Sequence, residues 1–372
     1  MRILKRISLA AALILLTALL CSCAMISAWL SPDNNEGGEP PHTHKWGNWI
    51  TEITPTCDAG GQQVRLCACG ERETETMAPT GAHVLTASNT CHYCGTALQP
   101  TEGLDFEALN DTTCEVNAIG HAEGTVIVIP TTHDGRTVIR IGADAFKEKT
   151  DLQRVILPNT LTSIEANAFA SCTALTAVAI PTSVTYIKQA AFADCYALRF
   201  VNFGTGSSLK SIGANAFCYT DLQTLDFGDS SALRTIGNSS FYGCRSLSAI
   251  RFGKNSKLTT LDSYAFAHCT TLPSVVLPDA VTTIKSYAFY GCEKLTAIVI
   301  PKSVASIGSL CFSYCEALGS IYYCGSVLDW DRISIHEDVG YPFTQATVYY
   351  YSEIEMPTGG NVKYWHYLPI PW

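Results

Sequence analysis

The chain has 372 residues, 47% of them hydrophobic and 15% charged, which supplies core for two or three domains and excludes disorder as its main state. The formal net charge of −9 argues against nucleic acid or anionic lipid as a general partner. Its 17 cysteines fall into groups of different spacing, which argues against reading them as one common disulfide framework.

Met1 to Arg6 is a basic segment, and Ile7 to Leu20 is an apolar run of signal-peptide length, short for a membrane span. Residues 1–22 therefore predict an export signal. Its loss removes Arg2, Lys5 and Arg6 and no acid, taking the charge from −9 to −12. The run ends in Leu20-Cys21-Ser22-Cys23, which resembles a bacterial lipobox. That resemblance implies lipid attachment at Cys23 and anchoring by the lipid alone, with ordinary cleavage and free secretion as the alternative. Residues 23–41, with Pro, Gly, Asn and acids from Ser31 to Pro41, read as a flexible tether.

Residues 42–98 hold His42, His44, Trp46, Trp49, Cys57, Cys67, Cys69, His83, Cys91 and Cys94. Two close cysteine pairs, each followed by glycine, are how a zinc ribbon sets four thiolates round one ion, making Cys67, Cys69, Cys91 and Cys94 the candidate ligands. In an exported chain disulfides are an equal alternative, and free or mixed thiols a third. No general base for a metal-bound water stands out, so a structural zinc is the one cofactor considered. The segment resembles small His/Trp/Cys-rich modules that precede repeat domains in surface proteins of anaerobic bacteria, which implies location more than chemistry.

Beyond it, phenylalanine recurs at positions 146, 169, 192, 217, 241, 266, 289 and 312. Five residues before each stands an aliphatic (Ile141, Ile164, Ile187, Ile212, Ile236, Leu261, Ile284, Ile307), and usually six after it a leucine that opens Leu-x-x-aliphatic-x-apolar. The alternating segment predicts a short strand, and a fixed period predicts a solenoid in which each coil completes the core of its neighbour. Pro158, Pro181, Pro278 and Pro301, or Gly204, Gly228 and Gly253, follow the strands and end them. The pattern Ile-x-x-x-Ala-Phe-x-x-Cys-x-x-Leu-x-x-Val-x-Ile-Pro closely resembles the BspA-type leucine-rich repeats of bacterial surface proteins, over roughly Leu104 to Tyr367. The resemblance implies an α/β repeat fold: a leucine-rich-repeat solenoid with short parallel strands, capped at 101–138 and 325–372 around repeats at 139–324. It also implies a non-enzymatic scaffold at the cell surface, with adhesion to host or matrix proteins described for some members.

Cys172, Cys195, Cys244, Cys269, Cys292 and Cys315 lie three residues after the repeat phenylalanines. Equivalent side chains of adjacent coils point the same way, whereas a disulfide needs them to point at each other, so this column reads as buried thiols. Outward strand positions line a candidate ligand face at Arg154, Ile156, Phe200, Asn202, Asp226, Arg251, Val276, Val299 and Tyr322. A protein or glycan, host-derived ones included, is the expected partner. Two other readings stand beside this one: an envelope spacer presenting the cysteine-rich module, and a metal-dependent enzyme in that module. No nucleophile elbow, phosphate-cradling loop or zinc-hydrolase motif supports the last.

Overall fold

The computed structural model describes residues 83–92, 94–229 and 231–352, with the strands Ile50–Ile53, Gly61–Leu66, Arg72–Met77 and Lys363–Trp365. The predicted signal peptide, Cys23, Cys57, Cys67 and Cys69 lie outside the described residues. Those first three strands form an antiparallel sheet in chain order.

The Leu-x-x-aliphatic segments form parallel strands at Arg154–Pro158, Ala177–Ala179, Phe200–Asn202, Thr224–Asp226, Ala249–Arg251, Ser274–Val276, Ala297–Ile300 and Ser320–Tyr323. The pairing is regular within three sections, with breaks after Phe200–Asn202 and after Ala249–Arg251. Both breaks precede the turns that carry the extra residues of the longer coils.

The aliphatic five residues before each phenylalanine sits on a strand of its own, only two residues long: Ser163–Ile164, Tyr186–Ile187, Ser211–Ile212, Thr235–Ile236, Thr260–Leu261, Thr283–Ile284 and Ser306–Ile307. With Arg136–Ile141 before them and Ser334–Ile335 after them, they make a second parallel sheet. Every aliphatic in that column is buried.

Between the two strands of each coil lies a turn rather than a helix. The residues two before and two after the repeat phenylalanine adopt left-handed conformations, as at Asn167 (φ 55°) and Ser171 (φ 60°), or Tyr264 (φ 58°) and His268 (φ 58°). A helix cannot pass through such positions. The turn instead builds a third ladder between coils: the amides of Asn167, Phe169 and Ser171 donate to the carbonyls of Gln189, Ala191 and Ala193, and neighbouring coils repeat the set. Among the described residues the helices are Val327–Trp330 and Tyr341–Gln345, both beyond the last repeat.

The phenylalanines form one spine inside the turn ladder. Adjacent rings from Phe146 to Phe312 stack in parallel with centroids 5.1 to 5.8 Å apart. Ring pairs of this kind contribute roughly 0.5–1.5 kcal/mol each beyond simple burial. The spine ends on Phe343, 4.8 Å from Phe312, and Phe343 in turn lies against Trp330. At the other end, the hairpin Asp105–Ala108 and Thr113–Ala118 pairs with Arg136–Ile141, covering the first coil.

The cysteine column is buried beside the spine. The thiols of Cys172, Cys195, Cys244, Cys269, Cys292 and Cys315 donate to the carbonyls of Phe146, Phe169, Phe217, Phe241, Phe266 and Phe289, at 3.1 to 3.4 Å. Burial pushes the thiols of Cys172 and Cys244 up to about 12, so they are neutral donors rather than nucleophiles.

Candidate functional site

The expected ligand face is partly covered by the chain itself. The strand Val84–Leu85 pairs in parallel with Leu157–Pro158, while Val126–Val128 pairs with Arg154–Ile156 of the same strand. Leu85, Val128 and Ile156 form one buried cluster with Leu98 packed on it, and Val84 forms another with Ala177 and Ala179, against which Phe200 packs. Ile156 is thus 3% exposed, and Val299, between its flanking strands, is 5% exposed. The expectation that these two project into solvent is corrected: Leu85, Val128 and Leu98 pack on Ile156, and Val299 lies between Val276 and Tyr322 of the flanking strands. Arg154, Phe200, Asn202, Asp226, Val276 and Tyr322 are half-buried, and Arg251 is exposed.

Several polar residues of that face are engaged within the chain. Arg251 bridges Asp226 at 2.8 Å and Asp229 at 2.6 Å. Asp226 and Asn202 also accept from the amides of Gly228 and Gly204, and Tyr322 stacks on Tyr349. The middle of the face thus carries one ion-pair cluster, Arg251 with Asp226 and Asp229.

A second surface, absent from the sequence reading, runs along the turn ladder. Tyr219, Tyr242, Tyr264, His268, Tyr287, Tyr290 and Tyr314 form a continuous ring network over five coils. Its closest pair, Tyr264 and Tyr287, stacks at 4.4 Å; most other contacts are edge-to-face. Glycine makes the room. A Cβ at Gly243 would come within 2.6 Å of the Tyr219 ring, and one at Gly291 within 2.7 Å of the His268 ring. Successive coils thus alternate large and small two residues after the phenylalanine: Tyr219, Gly243, His268, Gly291, Tyr314.

At one end of the row, Tyr196, Tyr219, Thr220, Asp221, Gly243 and Arg245 line an open cleft of about 290 Å³. Asp221 there is paired with Arg199 at 3.0 Å and accepts from the Ser246 hydroxyl. Tyr196 and Tyr314 are each 59% exposed. Partial burial and neighbouring phenols raise the Tyr242, Tyr264 and Tyr290 hydroxyls, which keeps them protonated as donors.

The described part of the cysteine-rich module brings together His83, Cys91 and Cys94, whose donor atoms all lie within 4.8 Å of one another. Of the four thiolates expected to ligate a metal, Cys91 and Cys94 are therefore joined by a histidine, and Cys67 and Cys69 lie outside the described residues.

The BspA type leucine rich repeat region matches this sequence in six copies over residues 125–234 and 210–335. No curated protein matches the sequence. Among solved structures, a leucine-rich repeat protein from Bacteroides ovatus is 24% identical, with a TM-score of 0.54, covering 67% of this chain and 70% of that one. A Treponema pallidum leucine-rich repeat protein is 24% identical with a TM-score of 0.43, covering 59% of this chain and 90% of its own. A leucine rich cell surface protein of Faecalibacterium prausnitzii is 22% identical with a TM-score of 0.28, covering 63% and 97%. The first of these supports the fold.

Proposed function

Since the chain belongs to the BspA-type leucine-rich-repeat family, we propose that it is a lipid-anchored bacterial cell-surface protein that binds a partner protein through its solenoid and catalyses nothing. The observation that carries the reading is the ring network from Tyr219 to Tyr314. Tyrosine gives large contact area with little side-chain entropy to lose, and it is enriched where proteins meet. The row stands on a backbone already locked by hydrogen bonds between coils, so its arrangement costs little to hold on binding. The internally paired strand face offers less.

Export supports the same reading. The basic and apolar N-terminal segments and the Cys23 lipobox would place the solenoid outside the membrane, held at the end of the 23–41 tether. The test uses the chain from Cys23 to Trp372 against a panel of matrix proteins, mucins and bacterial glycans. Saturable binding to a protein is expected, reduced at least tenfold by Tyr264→Ala with Tyr287→Ala and unchanged by Asp226→Ala. Binding abolished by Asp226→Ala and indifferent to the tyrosines would move the site to the strand face. Binding to glycans alone would replace the protein partner with a carbohydrate.

A further inference from the structure

The hairpin at 83–98 packs Val84, Leu85 and Leu98 on the solenoid, and its backbone geometry is closely defined. His92 donates its amide to the carbonyl of Val84 at 2.7 Å, and the Cys91 amide donates to Thr96 at 2.8 Å. Leu85 faces Cys91, and Thr90 faces Ala97, in antiparallel bridges. The tip is a tight turn in which the Gly95 amide donates to the Cys91 carbonyl at 2.9 Å with Gly95 at φ 74°, a conformation that suits glycine. This turn folds Cys94 back over Cys91, while the bridge from Leu85 brings His83 alongside.

The result is a nitrogen and two sulfurs converging on one point. Nδ1 of His83 is 3.5 Å from Sγ of Cys94, and the Cys91 sulfur completes a triangle no edge of which exceeds 4.8 Å. A tetrahedral zinc at 2.3 Å from sulfur and 2.0–2.1 Å from nitrogen holds those two donors roughly 3.5 Å apart. Cys91 is buried and the other two are half-buried, so an ion here would be screened from water on one side. Thr96 Oγ1, 3.2 Å from the Cys94 sulfur, is placed to donate to a thiolate, as groups behind metal ligands do.

We propose that His83, Cys91 and Cys94 are ligands of a structural zinc ion that fastens this hairpin over the first strand of the solenoid. On binding, each thiol gives its proton to solvent and the sulfur lone pair to the metal, and neutral His83 donates through Nδ1; no oxidant is involved. The consequence for the fold follows from the packing. Val84 and Leu85, on the same hairpin, pack on Ile156, Ala177 and Ala179 and pair with Leu157–Pro158. An ion at the hairpin tip thus stabilises the N-terminal closure of the repeat domain, as Phe343 closes the other end by packing alone.

The chain from Cys23 to Trp372, purified without a histidine tag, is assayed for zinc by elemental mass spectrometry and for its coordination shell by X-ray absorption. One zinc per chain with a mixed sulfur and nitrogen shell is expected. Cys94→Ser and His83→Ala should each lose the metal, with an unchanged far-ultraviolet circular dichroism spectrum from the repeats. Cys94→His, which restores a nitrogen donor, should retain zinc with one sulfur fewer, and this variant serves if the others fail to fold. A shell of four sulfurs would overturn the assignment by returning the site to Cys67, Cys69, Cys91 and Cys94 without His83. A metal-free chain in which peptide mapping finds Cys91 joined to Cys94 would overturn it as well.

Discussion

The phenylalanine spine makes a quantitative claim about neighbouring coils. Phe241 is fully buried, stacked on Phe217 at 5.4 Å and on Phe266 at 5.2 Å, with Phe227 edge-on at 6.4 Å. Phe241→Leu keeps most of the buried carbon and removes two stacked pairs, worth roughly 0.5–1.5 kcal/mol each. With about 1 kcal/mol for the imperfect fit of the smaller side chain, the expected loss is roughly 2–4 kcal/mol. Phe217→Leu should cost a similar amount, since Phe217 also has two stacked partners. The pair they share is removed by either change, so the double variant should cost about 0.5–1.5 kcal/mol less than the two single losses combined. Urea unfolding followed by circular dichroism, at unchanged slope, measures all four corners of this cycle. Phe146 with Phe241, four coils apart, is the control and should be additive within about 0.5 kcal/mol. If the adjacent pair is additive too, the stacking contributes nothing beyond burial and the reasoning fails.

Two further outcomes follow from single columns. Ser240 is fully buried in a column otherwise filled by alanine or cysteine, and its hydroxyl has no hydrogen-bond partner. Ser240→Ala should therefore raise stability by about 1–2 kcal/mol in the same urea assay, and no gain would mean that the hydroxyl is satisfied. The buried thiols set the alkaline limit. Cys172, Cys218 and Cys244 are held up to about 12 by burial against an ordinary value of 9.0, so above pH 9 the unfolded chain loses protons that the folded chain retains. Stability should be independent of these groups below pH 9 and fall as pH rises from 9 towards 12, by about 1.4 kcal/mol per pH unit for each thiol. Midpoints measured from pH 8 to 11 should show a shallower fall in Cys244→Ala, and equal slopes would place that thiol in contact with solvent.

How much of this was legible beforehand depends on whether a feature repeats along the chain. The phenylalanine and aliphatic columns recur in every coil, so their inward direction could be read from period alone, and the cysteine column's common direction followed from the same symmetry. The second sheet was not legible, because a strand of two residues such as Ser163–Ile164 has no alternation to detect. Neither was the burial of Ile156, since Leu85 and Leu98, which cover it, are far away in sequence. Nor was the approach of His83 to Cys94, because the hairpin, not the spacing, brings the two together.

The tyrosine row is the instructive miss. Its members occupy three columns, at two before, one after and two after the phenylalanine, so no single column looks aromatic. The signal that was available is the alternation Tyr219, Gly243, His268, Gly291, Tyr314, in which a Cβ at either glycine would meet the ring of the preceding coil. All five of these positions have φ between 56° and 71°, a region that favours glycine and in which tyrosine and histidine are strained. The early coils meet the same backbone with Glu148, Ser171 and Asp194, polar residues that suit an exposed turn. From Tyr219, where the polar residues stop, the column alternates a ring with glycine up to the last repeat. A scaffold needing only solubility would have kept the polar choice throughout. The change of character part-way along a uniform backbone is therefore the reason to locate the proposed partner on the second half of the turn ladder rather than along the whole solenoid.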